Sequence, residues 1–138
     1  MKIYYATSIS GETNPEAENT NKELINYLKK YGEVITEHFS NSSLIQTGEL
    51  TINDKEIHDR DMNWIMESDV IVAEVSNPSF GVGYEIGRSV ENNKKVLCLR
   101  KKQNRRLSAM IRGCDRITVR NYKDLNEAKK ILEGFFIK

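Results

Sequence analysis

Apolar positions along the chain alternate between a spacing of two and a spacing of three to four, the periods of strands and helices. Lys2 to Thr7 reads as a first strand. Asn14-Pro15 opens a helix, with Asn as cap and Pro at the first helical position. Its apolar residues Leu24, Ile25 and Leu28 keep helical spacing, and Gly32 stops it. Glu33 to Glu37 is a short second strand. The polar stretch from Ser40 to Asn53 is long for a connection, which marks it as a lid or binding loop. Asp54 to Glu67 reads as a second helix. Asp69 to Val75 has the run of β-branched residues expected of a strand covered on both faces. Gly81 to Asn92 is a third helix, Lys95 to Arg100 a fourth strand and Arg116 to Arg120 a fifth; Leu125 to Phe136 closes the chain as a helix.

Strands separated by helix-length segments predict βαβ units and a parallel sheet. With right-handed crossovers this is an α/β fold: one doubly wound, five-stranded parallel sheet of flavodoxin-like order 2-1-3-4-5, with helices on both faces. The 138 residues suit a single domain spanning 1–138, since domains run to roughly 100–150 residues.

Charge and composition narrow the possibilities. Lys and Arg number 21 against 20 Asp and Glu, a net charge of +1. That leaves no unbalanced field for gripping nucleic acid. No apolar run approaches the roughly 20 residues of a membrane helix. The N-terminus enters a strand at once, so no secretory signal is expected. Cys98 and Cys114 form neither a disulfide framework nor a ligand cluster, and read as reduced thiols of a cytoplasmic protein.

In a sheet of this order, ligands bind beyond the carboxyl ends of the strands where the winding reverses, here between strands one and three. The loops there are Ser8-Ile9-Ser10-Gly11 and Ser76-Asn77-Pro78-Ser79-Phe80-Gly81. Small hydroxyl residues and the amides of a helix start suit a phosphate or another anion, although the same residues are also ordinary turn formers. Glu85 follows Gly81-Val82-Gly83-Tyr84 early in the third helix, where the helix dipole favours an ionised carboxylate. It is equally the kind of residue that surface helix starts prefer. Asp61 lies three and four residues before Trp64 and Ile65 and four after Ile57, inside the stripe that should face the core. A carboxylate there is costly unless paired or used, and burial favours its protonated form. One ionised and one protonated carboxyl group is the pattern of glycosidic chemistry.

Other candidates are Tyr4 and Tyr5, which alternation points to opposite faces, so that one can reach the crevice. His38 could touch a ligand but also fits a solvated loop; Glu74 could orient backbone at the site; His58 is assigned no role. Gly81-Val82-Gly83 with Gly87 has the wrong spacing and the wrong strand for a dinucleotide fingerprint. No metal, redox, serine-hydrolase or P-loop motif is present, and no cofactor is expected.

Taken together, several segments are similar to the nucleoside 2-deoxyribosyltransferase superfamily, and within it most resemble the 2′-deoxynucleoside 5′-monophosphate N-hydrolases. They are Tyr4-Tyr5-Ala6-Thr7-Ser8-Ile9, Thr36-Glu37-His38, Ile57 to Trp64, Ala73-Glu74-Val75, Pro78 to Arg88 and Leu107-Ser108-Ala109-Met110-Ile111-Arg112-Gly113. The resemblance implies that Glu85 attacks C1′ of the sugar, that Asp61 assists departure of the base and attack of water, and that Tyr4 is positioned at the sugar and nucleophile. It implies that Ser8, Ile9, Ser10, His38, Ser79 and Gly81 line the substrate site. It further implies that Ser108 and Met110 come from the partner subunit of a homodimer, although Leu107 to Gly113 lies remote from the crevice in the layout above. One position departs: the family motif Gly-Ser-Ile-Arg-Gly is here Thr7-Ser8-Ile9-Ser10-Gly11, so an arginine expected at the phosphate is Ser10. The basic run Lys101 to Arg106 is a candidate replacement. The expected activity is hydrolysis of the N-glycosidic bond of 2′-deoxynucleoside 5′-monophosphates. Transfer of deoxyribose between bases and a non-catalytic nucleotide-binding module are the alternatives.

Overall fold

The computed structural model describes residues 1–8, 14–36 and 52–137. Ile9, Ser10 and His38 lie outside the described residues, as does most of the polar stretch read as a lid. Strands β1 (Lys2–Thr7), β2 (Glu33–Ile35), β3 (Val70–Glu74), β4 (Lys95–Lys101) and β5 (Ile117–Tyr122) form one parallel sheet in the order β2-β1-β3-β4-β5. The pattern of the sequence predicts this order. Among the described residues the helices are α1 (Pro15–Leu28), α2 (Asp54–Glu67), α3 (Phe80–Glu91), α4 (Ala109–Arg112) and α5 (Leu125–Ile137).

Local chemistry sets the helix starts. The Asn14 side chain accepts from the amides of Glu16 and Ala17, that of Asn53 from Glu56, and that of Ser79 from Val82. Each satisfies amides that a helix start otherwise leaves without a partner. At Gly32 a Cβ would stand 2.3 Å from the Met1 carbonyl oxygen, which accepts from the Glu33 amide. The helix itself ends earlier than expected, at Leu28 with Lys29 as its cap, and glycine at 32 lets the chain pass against Met1 so that β2 comes in beside β1.

Alternation along the strands divides the core in two. Ile3, Tyr5, Val70, Val72, Leu97 and Leu99 pack with Leu24, Ile25 and Leu28 of α1 and Ala128 and Leu132 of α5. Tyr4, Ala6, Ile71, Ala73, Val96 and Cys98 face the other way, against Met62 and Ile65 of α2 and Val82 and Ile86 of α3. Each fully buried large aliphatic contributes about 1.5–3 kcal/mol, so both layers are needed to hold the sheet.

Several boundaries shift by one or two residues from expectation, and one helix is new. Helix α3 begins at Phe80 because Ser79 is its cap. Strand β5 runs from Ile117 on to Tyr122, paired with β4 as far as Lys101. Helix α4 has no counterpart in the sequence pattern, because four residues are too few to establish a period.

Candidate active site

Tyr4 is fully buried on the face of β1 that meets α2 and α3. Its hydroxyl donates a 2.5 Å hydrogen bond to Oε2 of Glu85 on α3, itself 8% exposed. Alternation sends Tyr5 to the opposite face, where its hydroxyl donates to Oδ1 of Asn21 at 2.6 Å. Burial, with the nearby charge of Glu74, holds the Tyr5 phenol well above its usual range. Tyr5 is therefore a packed structural residue, and of the two tyrosines Tyr4 is the one at the carboxylate.

Asp61 falls in the buried stripe of α2, 7% exposed. Arg60 Nε donates to its Oδ1 at 3.0 Å, so the buried carboxylate has a cationic partner. The Arg60 guanidinium in turn lies over the Trp64 ring, 4.6 Å from its centroid. Helices α2 and α3 pack together and both contact β1. Asp61 and Glu85 thus approach one sheet face from neighbouring helices.

A second link joins the two helices. His58 Nε2 lies 2.9 Å from the Tyr84 hydroxyl, which also accepts from Arg88 at 2.5 Å. His58, to which the sequence assigned no role, is a tie between α2 and α3 one turn from Asp61.

The loop between β3 and α3 is held from behind. Glu74 points away from Tyr4, toward Tyr122, whose hydroxyl donates to its Oε2. The Ser76 amide donates to Glu74 Oε1 at 2.8 Å and the Ser76 hydroxyl to Oε2 at 2.7 Å. Ser76 Oγ also accepts from the Lys101 amide at 2.8 Å. Glu74 therefore grips the backbone of the loop before α3, and burial together with the Glu74 charge raises the Tyr122 phenol above its usual range.

From this anchored loop the chain enters α3. Ser79 Oγ caps the Val82 amide at 3.2 Å, and helix geometry leaves the Phe80 and Gly81 amides without intrahelical acceptors. A Cβ at Gly81 would meet only Ser79 Oγ, at 3.8 Å, and one at Gly83 nothing within 4 Å, so this first turn is open to a visitor. Ser8 follows directly on β1, partly exposed.

A groove of about 540 Å³ runs between the start of α3 and the segment leading into α4. Ser79, Phe80 and Tyr84 line it from α3, Ser108 and Met110 from the segment leading into and through α4, and Arg100, Arg105 and Arg106 line it as well. The expectation that Leu107 to Gly113 is remote from the crevice is corrected here. Strand β4 ends at Lys101, at the same end of the sheet as the loop before α3, so the following segment lies against it. Phe80 is fully exposed and Met110 is 83% exposed. Arg100 is the buried, groove-lining residue on which sequence reasoning makes no remark; alternation of Val96, Cys98 and Arg100 is the available signal.

Among the described residues no group of three His, Cys, Asp or Glu side chains could hold a metal ion.

Comparison with known proteins places this geometry in context. A family profile described as nucleoside 2-deoxyribosyltransferase matches residues 3–128. A protein of Tetraodon nigroviridis named 5-hydroxymethyl-dUMP N-hydrolase is 48% identical over 141 residues, covering 99% of this chain and 97% of that one. Its namesake in Danio rerio is 46% identical over 140 residues, covering 99% and 96%. The structure of the CMP N-glycosidase of Clostridium botulinum superposes with a TM-score of 0.72 at 21% identity, over 96% of this chain and 98% of that chain, a likeness of fold.

Proposed function

The chain belongs to the nucleoside 2-deoxyribosyltransferase family, and from that premise we propose that it hydrolyses the N-glycosidic bond of 2′-deoxynucleoside 5′-monophosphates. The products are free base and 2-deoxyribose 5-phosphate. Full-length similarity to proteins named 5-hydroxymethyl-dUMP N-hydrolase supports this reading and makes 5-hydroxymethyl-dUMP the first substrate to try. The observation that carries it is the buried Tyr4–Glu85 hydrogen bond, set on the same sheet face as the buried Asp61.

In this proposal Asp61 takes up a solvent proton when substrate binds; a Glu85 oxygen attacks C1′ as the bond to the base nitrogen breaks, and Asp61 passes that proton to the departing base. The sugar is then esterified to Glu85. Asp61, now a carboxylate, takes a proton from water as that water attacks C1′, which breaks the ester and restores Glu85. Double displacement of this kind needs carboxyl groups roughly 5–5.5 Å apart across the sugar. The Tyr4 hydroxyl fixes the rotamer of Glu85 for attack.

Ser8, Ser79 and the Gly81 amide hold the 5′-phosphate, and Ser108 and Met110 of a second copy close the site. The exposure of Phe80 and Met110 beside one groove supports such a homodimer, because a second copy would cover both. Among the described residues no helix is long and apolar enough to cross a membrane.

The test is to incubate the purified protein with 5-hydroxymethyl-dUMP, with other deoxy- and ribonucleotides, and with each plus a second free base. Base and 2-deoxyribose 5-phosphate in equal amounts are expected. A new nucleoside or nucleotide as main product would make it a transferase, and nucleotide binding without base release would make it a binding module. Light scattering is expected to give twice the chain mass.

A further inference from the structure

We propose that Arg100, assisted by Arg105 and Arg106 that line the same groove, grips the substrate's 5′-phosphate and so sets the preference for nucleotide over nucleoside. This rests on the hydrolase reading above and adds residues to it. On β4, Val96 and Cys98 belong to the core layer beneath α2 and α3, so the next residue of the same parity, Arg100, shares the face of Tyr4. It stands at the carboxyl end of the strand, where ligands of such sheets bind.

Arg100 is only 9% exposed, yet among the described residues its Nε is the one buried side-chain nitrogen or oxygen without a hydrogen-bond partner. Its guanidinium donates to the Arg105 carbonyl, and none of the ion pairs among the described residues involves Arg100, Arg105 or Arg106. A buried, permanently charged guanidinium with no counter-ion among the described residues is a costly arrangement unless an anion completes it.

The same groove carries Ser79, whose helix turns its first amides outward. These donors and the arginine fork suit the several oxygens of one phosphate. The loop after β1 supplies no cation of its own, for residues 8–11 read Ser-Ile-Ser-Gly. The charge that neutralises the phosphate therefore comes from the end of β4 and the segment that follows it.

The experiment compares wild type with R100Q, R100K and the double variant R105Q/R106Q. It measures kcat and KM for 5-hydroxymethyl-dUMP and for its nucleoside, and affinity for inorganic phosphate by calorimetry. Loss of one charged grip should raise the nucleotide KM of R100Q about tenfold or more. The ratio of nucleotide to nucleoside kcat/KM should fall by the same factor, phosphate affinity should weaken in step, and R100K should recover part of each. The double variant should show a smaller change in the same direction.

Equal losses for nucleotide and nucleoside, or a folded R100Q with wild-type KM, overturn the proposal. So does loss of self-association at unchanged phosphate affinity, which would assign Arg100 to a subunit interface. If R100Q does not fold, the double variant decides, and unchanged nucleotide KM and phosphate affinity there overturn it. If wild type releases base from neither substrate, the hydrolase reading fails, while phosphate calorimetry on R100Q still tests the anion site.

Discussion

The hydroxyl of Tyr4 and the carboxylate of Glu85 meet at 2.5 Å although 81 positions separate them in the chain. Strand β1 delivers the tyrosine from the floor of the site and helix α3 lowers the glutamate from above. Both groups are buried, so neither can exchange its partner for bulk water without moving an element. In the proposed double displacement, a carboxylate held in this way would be oriented before substrate arrives, which would lower the entropic cost of attack.

Replacing Glu85 by Gln keeps the shape and removes the nucleophile. Turnover should fall by about a thousandfold or more, as for loss of other covalent-catalysis nucleophiles. Nucleotide affinity by calorimetry should stay within a few fold. A Glu85→Gln protein with near-normal base release would end the double-displacement mechanism.

Tyr4→Phe removes one hydroxyl and leaves the ring in the core. Without its donor, Glu85 loses its fixed orientation, and kcat should drop by about ten- to a hundredfold with KM little changed. Steady-state kinetics reads this directly. A raised KM at full kcat would instead make Tyr4 part of the wall of the sugar pocket.

Glu74 accepts from three groups that would be left buried or strained without it: the Tyr122 hydroxyl and the amide and hydroxyl of Ser76. Glu74→Ala should cost about 2–4 kcal/mol in urea unfolding, and Tyr122→Phe about 1 kcal/mol. The double variant should be less unstable than the sum of the two, because they share one hydrogen bond. Strict additivity would mean that Tyr122 and Glu74 act independently.

Stability should decline at alkaline pH. Burial and the Glu74 charge push the Cys98 thiol up to about 12, and Tyr5 and Tyr122 are raised too, by burial first and then by the same charge. Each group holds its proton more tightly folded than unfolded. Its contribution is therefore complete below the unfolded values, roughly 8.5 for Cys and 10 for Tyr, and is lost as pH rises toward the folded ones. Within that window each group subtracts about 1.4 kcal/mol per pH unit. Urea midpoints at pH 7, 9 and 10.5 should fall progressively, and Cys98→Ala should flatten the first part of the decline.

Much of the site could be read from one dimension because local geometry is periodic. Alternation placed Tyr4 and Tyr5 on opposite faces, and helical spacing put Asp61 in the apolar stripe of α2; burial of 7% at Asp61 agrees. Capping chemistry at Asn14 marked a helix start correctly to the residue. The same order of strands and helices that the pattern predicts also puts the loop between β3 and α3 at the carboxyl end of the sheet. What periodicity leaves open is the identity of the side chain opposite. That Tyr4 meets Glu85, that Tyr122 reaches Glu74, that His58 ties to Tyr84, and that Ser108 shares a groove with Ser79 all follow from register and from how loops return over the strand ends. A residue's own backbone determines which face it takes, so the sequence by itself decided the faces. Contacts between residues distant in the chain depend on how whole elements pack, so only the tertiary structure decided the partners.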